Sequence, residues 1–337
     1  LVVLGGDRCR LYLCLYTKTS VFYDGTFCTL YHHCLDRIFC MAQQLSATTA
    51  DPSRVIWHLC QQLEFFADHK PVLLKQLTQG KRTSSYQVQT DRGHYVLRHY
   101  GPSVLGVCRQ QELRCQHAAA AAGLAPAPLC LNNHQRMLIT EFLPDTQAPS
   151  AAYIRQNLAG LAQKLATLHQ LPVQTAVLDP WLYLQQLKKQ LEPHWTTEAE
   201  KIWQPLITAA RDLQYFQADI GLCHMDLHAQ NMLLWQNKLW LIDFEYCQLA
   251  DVVFDLVALI VQFDLSDAEQ QLLLDSYKAS RSSAYSVQLL EKLALAKVVY
   301  SGFCWLWYWQ EELENQDPRY KQAAADCYQL LLQLVQK

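Results

Sequence analysis

The 337-residue chain has no C-x-x-C pair, although it contains 13 cysteines. Five of them, Cys9, Cys14, Cys28, Cys34 and Cys40, fall in the first 40 residues, and the rest are scattered singly. That spacing supports neither a redox dithiol nor a zinc ribbon, so the cysteines read as small buried apolar residues in a reducing compartment. Zinc held by the N-terminal cysteines with His32 and His33 is the minor alternative. Also missing is an apolar run approaching the roughly 18 residues of a membrane span. Asp251, Asp255 and Asp264 interrupt the longest candidate. Nor is charge of one sign in excess. The net charge of −3 gives no electrostatic case for nucleic acid or an anionic membrane. What remains is the expectation of a soluble cytoplasmic protein, with 51% hydrophobic residues to build a core and no obligate protein partner in view.

The chemistry is concentrated in His224-Met225-Asp226-Leu227-His228-Ala229-Gln230-Asn231 and in Leu239 to Tyr246, written LWLIDFEY. The first has the spacing H-x-D-x-x-x-x-N, and the second is an apolar strand ending in D-F, the order found in ATP-dependent phosphotransferases of the protein-kinase-like superfamily. Met232–Trp235 and Leu239–Ile242 are short β-prone runs separated by Gln236, Asn237 and Lys238, which predicts a tight antiparallel hairpin. A hairpin brings its open ends together, so Asn231 and Asp243 should lie side by side. An amide oxygen beside a carboxylate suits Mg²⁺, whose remaining positions are filled by phosphate oxygens and water. Asp226, on the loop entering the hairpin, is expected to act as the base that orients an acceptor hydroxyl. His224 is placed with it in the catalytic loop as a bracing residue, and His228 is expected to hydrogen-bond within that loop.

These residues resemble the choline kinase and aminoglycoside phosphotransferase group, and most closely bacterial thiamine kinases, which carry a similar HMDxHAxN loop and LIDxEY strand. The likeness extends to Leu161, Leu165, Leu168, His169 and Pro172, which match an LxxxLxxLHxxP pattern, and spans about Pro71 to Gln336. It implies an α+β, bilobal protein-kinase-like fold with a small β-rich N-terminal lobe and a larger helical C-terminal lobe. It also implies ATP and Mg²⁺ as cofactors and a small-molecule alcohol as acceptor. Residues 41–145 would form the ATP-binding lobe and 146–337 the catalytic and acceptor-binding lobe. Residues 1–40 lack periodicity and precede Met41, the first methionine. They are expected to be an extension whose deletion leaves activity intact.

In the N-terminal lobe, strands are expected near Val72–Lys75, Tyr86–Thr90, His94–Tyr100 and Arg136–Phe142, with a helix from about Ser103 to Ala122. The loop Thr78 to Ser85 has a single glycine, so it is a weak phosphate cradle, but Lys81, Arg82 and Ser84 are candidates for phosphate contact. Arg98 stands where protein kinases place a phosphate-binding lysine, within an LRxYG sequence the resembled group shares, and Glu112 would be its ion-pair partner. Glu141 and Leu143 lie on the connection that, by the resemblance, meets adenine through its backbone. In the C-terminal lobe, apolar residues at three- and four-residue intervals predict helices over 151–170, 181–191, 198–217, 251–263, 267–280, 286–315 and 319–336. Asp255 resembles an aspartate that braces the catalytic loop.

Acceptor candidates are Glu245, Asp251 and one pair from the aromatic run Phe303, Trp305, Trp307, Tyr308 and Trp309. Trp305 and Trp309 share one helical face and Phe303 and Trp307 another, and the pair Trp305 and Trp309 is taken as the acceptor-facing one. Aromatic faces and carboxylates favour a cationic alcohol. Thiamine is the first expectation, with choline, ethanolamine or an aminoglycoside as alternatives. A nucleotide-binding regulator without turnover is the reading from another class. A protein kinase is disfavoured, because eleven residues between Asp243 and Asp255 leave no room for a long activation loop.

Overall fold

Two units make up the chain in this computed structural model, Leu1–His58 and Leu59–Lys337. The structure describes residues 52–79, 83–101, 106–281 and 289–336. The expectations for residues 1–40, for the cysteines and histidines within them, and for Lys81 and Arg82 lie outside these residues. Of the first unit the described part is the start of helix α1 (Pro52–Gln62).

The second unit opens with a five-stranded antiparallel sheet in the order β1-β2-β3-β5-β4. Its strands are β1 (Leu73–Gln79), β2 (Thr83–Thr90), β3 (Gly93–Tyr100), β4 (Pro128–Asn132) and β5 (Met137–Glu141). Asp91 and Arg92 turn β2 into β3, with Thr90 pairing Gly93. The Thr90 hydroxyl oxygen accepts from the Arg92 N–H at 3.1 Å, an additional local bond across the turn. Strand β5 is buried from Met137 to Thr140, as expected of an interior strand. Helix α2 (Arg109–Ala121) follows β3 and turns Glu112, Cys115, Gln116 and Ala119 into the protein. It starts later than expected, since Gly106 to Cys108 are not helical. Strand β4, absent from the sequence-based expectations, is a five-residue edge strand that begins at Pro128, too short and irregular for an alternating pattern to show.

The rest is helical: α3 (Ala151–Gln156), α4 (Leu158–His169), α5 (Pro180–Leu191), α6 (Thr197–Asp212), α7 (Val253–Gln262), α8 (Asp267–Ser280), α9 (Leu289–Asn315) and α10 (Pro318–Val335). The single helix expected over 151–170 is two, broken at Asn157, whose side chain donates to Tyr153 O at 2.8 Å. Side-chain caps fix several starts: Ser150, Asp179, Thr196, Ser266 and Asp317 each accept a backbone N–H from the first turn. Helix α7 is buried at every position from Val253 to Ile260, including Asp255. Among the described residues no helix is long and apolar enough to cross a membrane.

Two short ribbons interrupt the helices. Strand β6 (Ile220–Cys223) pairs antiparallel with β9 (Gln248–Asp251), and β7 (Met232–Trp235) pairs with β8 (Lys238–Leu241). The β7–β8 turn is two residues, Gln236 at φ 49° and Asn237 at φ 59°, so the left-handed pair replaces the three-residue loop expected. Gly221 in β6 is needed for close approach, because a Cβ there would lie 2.7 Å from His169 O and 2.9 Å from Val252 Cγ1.

Candidate active site

The two ribbons explain why residues distant in sequence meet. Cys223 pairs with Gln248 and Met232 with Leu241, so loops 224–231 and 242–247 both run from one ribbon to the other and must lie beside each other. They are tied directly: Ile242 N–H donates to Asn231 O at 3.0 Å, and a His224 ring nitrogen, Nε2, lies 3.0 Å from Ile242 O. A carbonyl only accepts, so that nitrogen carries the proton. The His224 ring also packs on Phe244, with centroids 4.8 Å apart.

Asp255 anchors the first loop from below. Its Oδ2 accepts from His224 N–H at 2.7 Å and its Oδ1 from Met225 N–H at 2.9 Å. His169, at the end of α4, reaches the same carboxylate through Nε2 at 3.1 Å and Tyr277 OH through Nδ1 at 2.6 Å. Burial opposes ionisation of Asp255, but His169, His224 and the donated N–H groups together hold its carboxyl below the ordinary range. His169, named in the sequence as the histidine of the LxxxLxxLHxxP likeness with no role assigned, is therefore a support for this carboxylate. Cys223 lies close to the pair, yet both Asp255 oxygens are already committed, which makes the trio a structural knot and not a metal site.

At the open side of the loops, Asn231 Nδ2 donates to Asp226 Oδ2 at 2.6 Å and to Asp226 O at 3.0 Å. The amide nitrogen is thereby turned to Asp226, and among the described residues no hydrogen bond engages Asn231 Oδ1. Asp243 takes φ 67° and Met225 φ 68°, left-handed conformations that cost non-glycine residues free energy and concentrate at functional sites. Asp243 Oδ1 accepts from Arg98 Nη2 at 2.7 Å, and its Oδ2 has no such donor among the described residues. Burial works against the Asp243 charge, but Arg98 holds its carboxyl low. Asn231 Oδ1 and Asp243 Oδ2 are thus two hard oxygen acceptors, a donor set that fits Mg²⁺. His228 Nδ1 accepts from Gln230 N–H at 3.2 Å, the loop role expected of it, and Nε2 lies 3.6 Å from Asp226 Oδ1. Burial disfavours the His228 cation, yet neighbouring Asp226 raises its pKa.

From the sheet side, Arg98 on β3 also donates to Glu112 Oε1 at 3.1 Å, so the arginine links α2 to the Asp243 loop. Tyr100 OH donates to the same oxygen at 2.9 Å. Arg109 donates to Glu112 Oε2 at 2.7 Å and to Glu245 Oε2 at 3.0 Å. Burial and the charge of Asp243 push the Glu245 carboxyl up to about 7. Arg109 carries no motif in the sequence, and Tyr100 stands in the LRxYG sequence with no role assigned to it there.

The loops open onto a cavity of about 920 Å³ lined by Asp226, Asn231, Asp243, Glu245, Tyr246, Tyr300, Phe303, Trp307, Tyr308, Glu311 and Tyr320. Trp307 Nε1 donates to Tyr246 OH at 3.1 Å. Trp305 and Trp309 do not line it. Two residues along a helix from Trp307 is a turn of about 200°, and Trp305 and Trp309 stack on each other at 5.8 Å on another side of α9, with Trp195 5.6 Å from Trp309 and Tyr328 5.6 Å from Trp305. Asp251 is also elsewhere, its carboxylate paired with Lys292 and accepting from Val253 N–H at 3.2 Å. Ser84 pairs across β2–β3 with His99, whereas Arg98 pairs with Ser85. Cross-strand partners share a face, so Ser84 lies on the face opposite Arg98, and Thr83, two residues earlier on the Ser85 face, is the residue that reaches the cavity. At the exit of the sheet, Glu141 N–H donates to Ala127 O at 2.9 Å, and Leu143 is buried.

A 55-residue segment is 42% identical to Protein LicA of Haemophilus influenzae, covering 16% of this chain and 21% of that protein, so the match spans about a fifth of the curated relative. The solved choline kinase LicA of Streptococcus pneumoniae superposes with a TM-score of 0.69 at 19% identity, over 84% of this chain and 99% of that one. Amicoumacin kinase hAmiN, in complex with AMP-PNP, Ca²⁺ and Ami, superposes at 0.64 with 16% identity, over 86% and 95%. These likenesses show a shared fold. Residues 74–295 match the phosphotransferase enzyme family, and this chain belongs to it.

Proposed function

We propose that this protein transfers the γ-phosphoryl group of ATP to the hydroxyl of a small cationic alcohol. The carrying observation is that Asp226, Asn231 and Asp243 open together onto one cavity that several aromatic rings also line. Asn231 Oδ1 and Asp243 would hold Mg²⁺, which when bound neutralises charge on the phosphate oxygens. Arg98, fixed by Glu112, supplies a forked donor for the phosphates. Asp226 orients the acceptor hydroxyl and takes its proton as the new O–P bond forms and the bond to the ADP oxygen breaks. The Asn231 amide, bonded to Asp226 Oδ2, fixes that carboxylate in place. Residues 41–145 serve the nucleotide and 146–337 the chemistry and the acceptor. A cytoplasmic site of action fits the eight described cysteines, which are free thiols.

The carboxylates of Asp226, Glu245 and Glu311 and the rings of Tyr246, Trp307, Tyr308 and Tyr320 border the cavity, a setting that attracts a cation by charge and by ring quadrupole, each contact worth roughly 0.5–2 kcal/mol. Thiamine is the leading acceptor, on the HMDLHAQN and LIDFEY sequences. Choline is the second reading, favoured by the likeness to LicA, solved as a choline kinase. ADP release measured with ATP and Mg²⁺ across thiamine, choline, ethanolamine and kanamycin separates them. Turnover with thiamine supports the leading reading, turnover with another of these alcohols replaces the substrate, and ATP binding without turnover on any of them contradicts a kinase for this acceptor class.

A further inference from the structure

The carboxylate that holds Arg98 is itself held from its other oxygen. Arg109, the first residue of α2, bridges Glu112 and Glu245, and its guanidinium carbon lies 3.6 Å from the centroid of the Tyr100 ring. Asp243, Arg98, Glu112, Arg109 and Glu245 therefore form a run of alternating charges that leaves the 242–247 loop at Asp243 and returns to it at Glu245. The same helix docks on that loop through neutral bonds as well, with Gln111 Nε2 donating to Cys247 O at 2.9 Å. Arg109 is 19% exposed and Glu245 17%, so neither charge is well served by water.

We infer that Arg109 is a positioning residue for nucleotide binding, acting by neutralising and restraining Glu245 and by orienting Glu112. The inference rests on the phosphotransferase reading of Asp243 and Arg98. Asp243 and Glu245 are two residues apart on one loop, and the cavity reaches both. Without Arg109, Glu245 has no hydrogen-bonded cation among the described residues and can swing toward Asp243, and Glu112 keeps only Arg98 and Tyr100 on its Oε1. With it, the loop offers one carboxylate to the metal and the arginine fork stays aimed at the phosphates. Cation stacking on Tyr100 fixes the direction of the guanidinium, which a lysine reproduces in charge but not in shape.

The test is the affinity for ADP with Mg²⁺, by calorimetry on the full chain, with circular dichroism to confirm folding. Arg109→Ala should weaken binding about tenfold, the scale of one well-placed charged contact, and Arg109→Lys should recover part of it. Adding Glu245→Gln to Arg109→Ala should restore most of the loss, because it removes the carboxylate that Arg109 restrains. A merely structural role predicts lower melting temperature without that rescue. Wild-type affinity in folded Arg109→Ala, or a double variant that binds no more tightly than the single one, overturns the inference and leaves the phosphotransferase reading standing. Wild-type protein that binds no nucleotide overturns both.

Discussion

Arg98 Nη2 lies 2.7 Å from Asp243 Oδ1, joining residues 145 positions apart in the chain and fastening the β-sheet to the loop proposed to hold metal. Burial works against the charge of that carboxylate, and the arginine beside it holds the carboxyl low.

Asp243→Asn should keep the fold and lose metal affinity. The expected readout is a rise of roughly tenfold or more in the Mg²⁺ concentration needed for half-maximal ADP release, and chelation of Mg²⁺ should abolish release by the wild type. Equal Mg²⁺ dependence in the variant and the wild type would place the cation elsewhere.

Asp255→Asn should destabilise by about 3 kcal/mol or more, because its amide nitrogen would confront one of the two backbone N–H groups that Asp255 now satisfies. The pH dependence has a definite sign. The folded carboxyl is held low, so its stabilisation is complete above the unfolded value of about 3.9 and is lost as pH falls through the lower folded value. Denaturant melts at pH 7 and in strong acid should show the gap between wild type and variant closing as the acid is strengthened. A constant gap would show that Asp255 braces the loop by shape alone.

The two faces of α9 should separate function from stability. Trp307→Leu should raise the KM for a cationic acceptor several-fold with little change in the KM for ATP, on the scale of one cation–π contact. Trp309→Leu should lower the melting temperature, since it removes a ring stacked on Trp305 and Trp195, and should leave the acceptor KM near the wild-type value. The reverse pattern would return the acceptor to the face first expected from the sequence.

Gly221→Ala should destabilise by roughly 1–3 kcal/mol, the usual penalty for overpacking. The new methyl would meet a backbone carbonyl, His169 O, and His169 carries one end of the bond to Asp255. Thermal melts check the stability, and a fall in kcat beyond the fall in folded fraction would show that the strain reaches the catalytic loop.

The contrast between what could and could not be read from the sequence has physical causes. The hairpin between Asn231 and Asp243 was legible because β-prone runs and a polar turn are local signals, and the 3.6-residue pattern located the long helices. The ribbon of β6 and β9 was not legible, since four-residue strands carry too little pattern, and yet it is what sets the two loops side by side. Asp255 and His169 both stand in the family resemblance, but the bond between them is not legible, because it joins residues 86 positions apart. Choosing between Trp305 with Trp309 and Phe303 with Trp307 needed the neighbours of α9, because both pairs satisfy the same spacing. Ser84 failed for want of the β2–β3 register, which puts it behind the sheet.

The most direct test of the central claim is phosphorus NMR of reactions containing ATP, Mg²⁺ and each cationic alcohol, run with the wild type and with Asp226→Asn. The account predicts a phosphate-ester resonance from one acceptor with the wild type, and a rate lower by about a thousandfold with the variant, which removes both the base and the charge that holds the hydroxyl. It also predicts nearly unchanged ATP affinity in the variant. An ester formed equally fast by Asp226→Asn, or ATP consumed only to inorganic phosphate with every cationic alcohol, would contradict it.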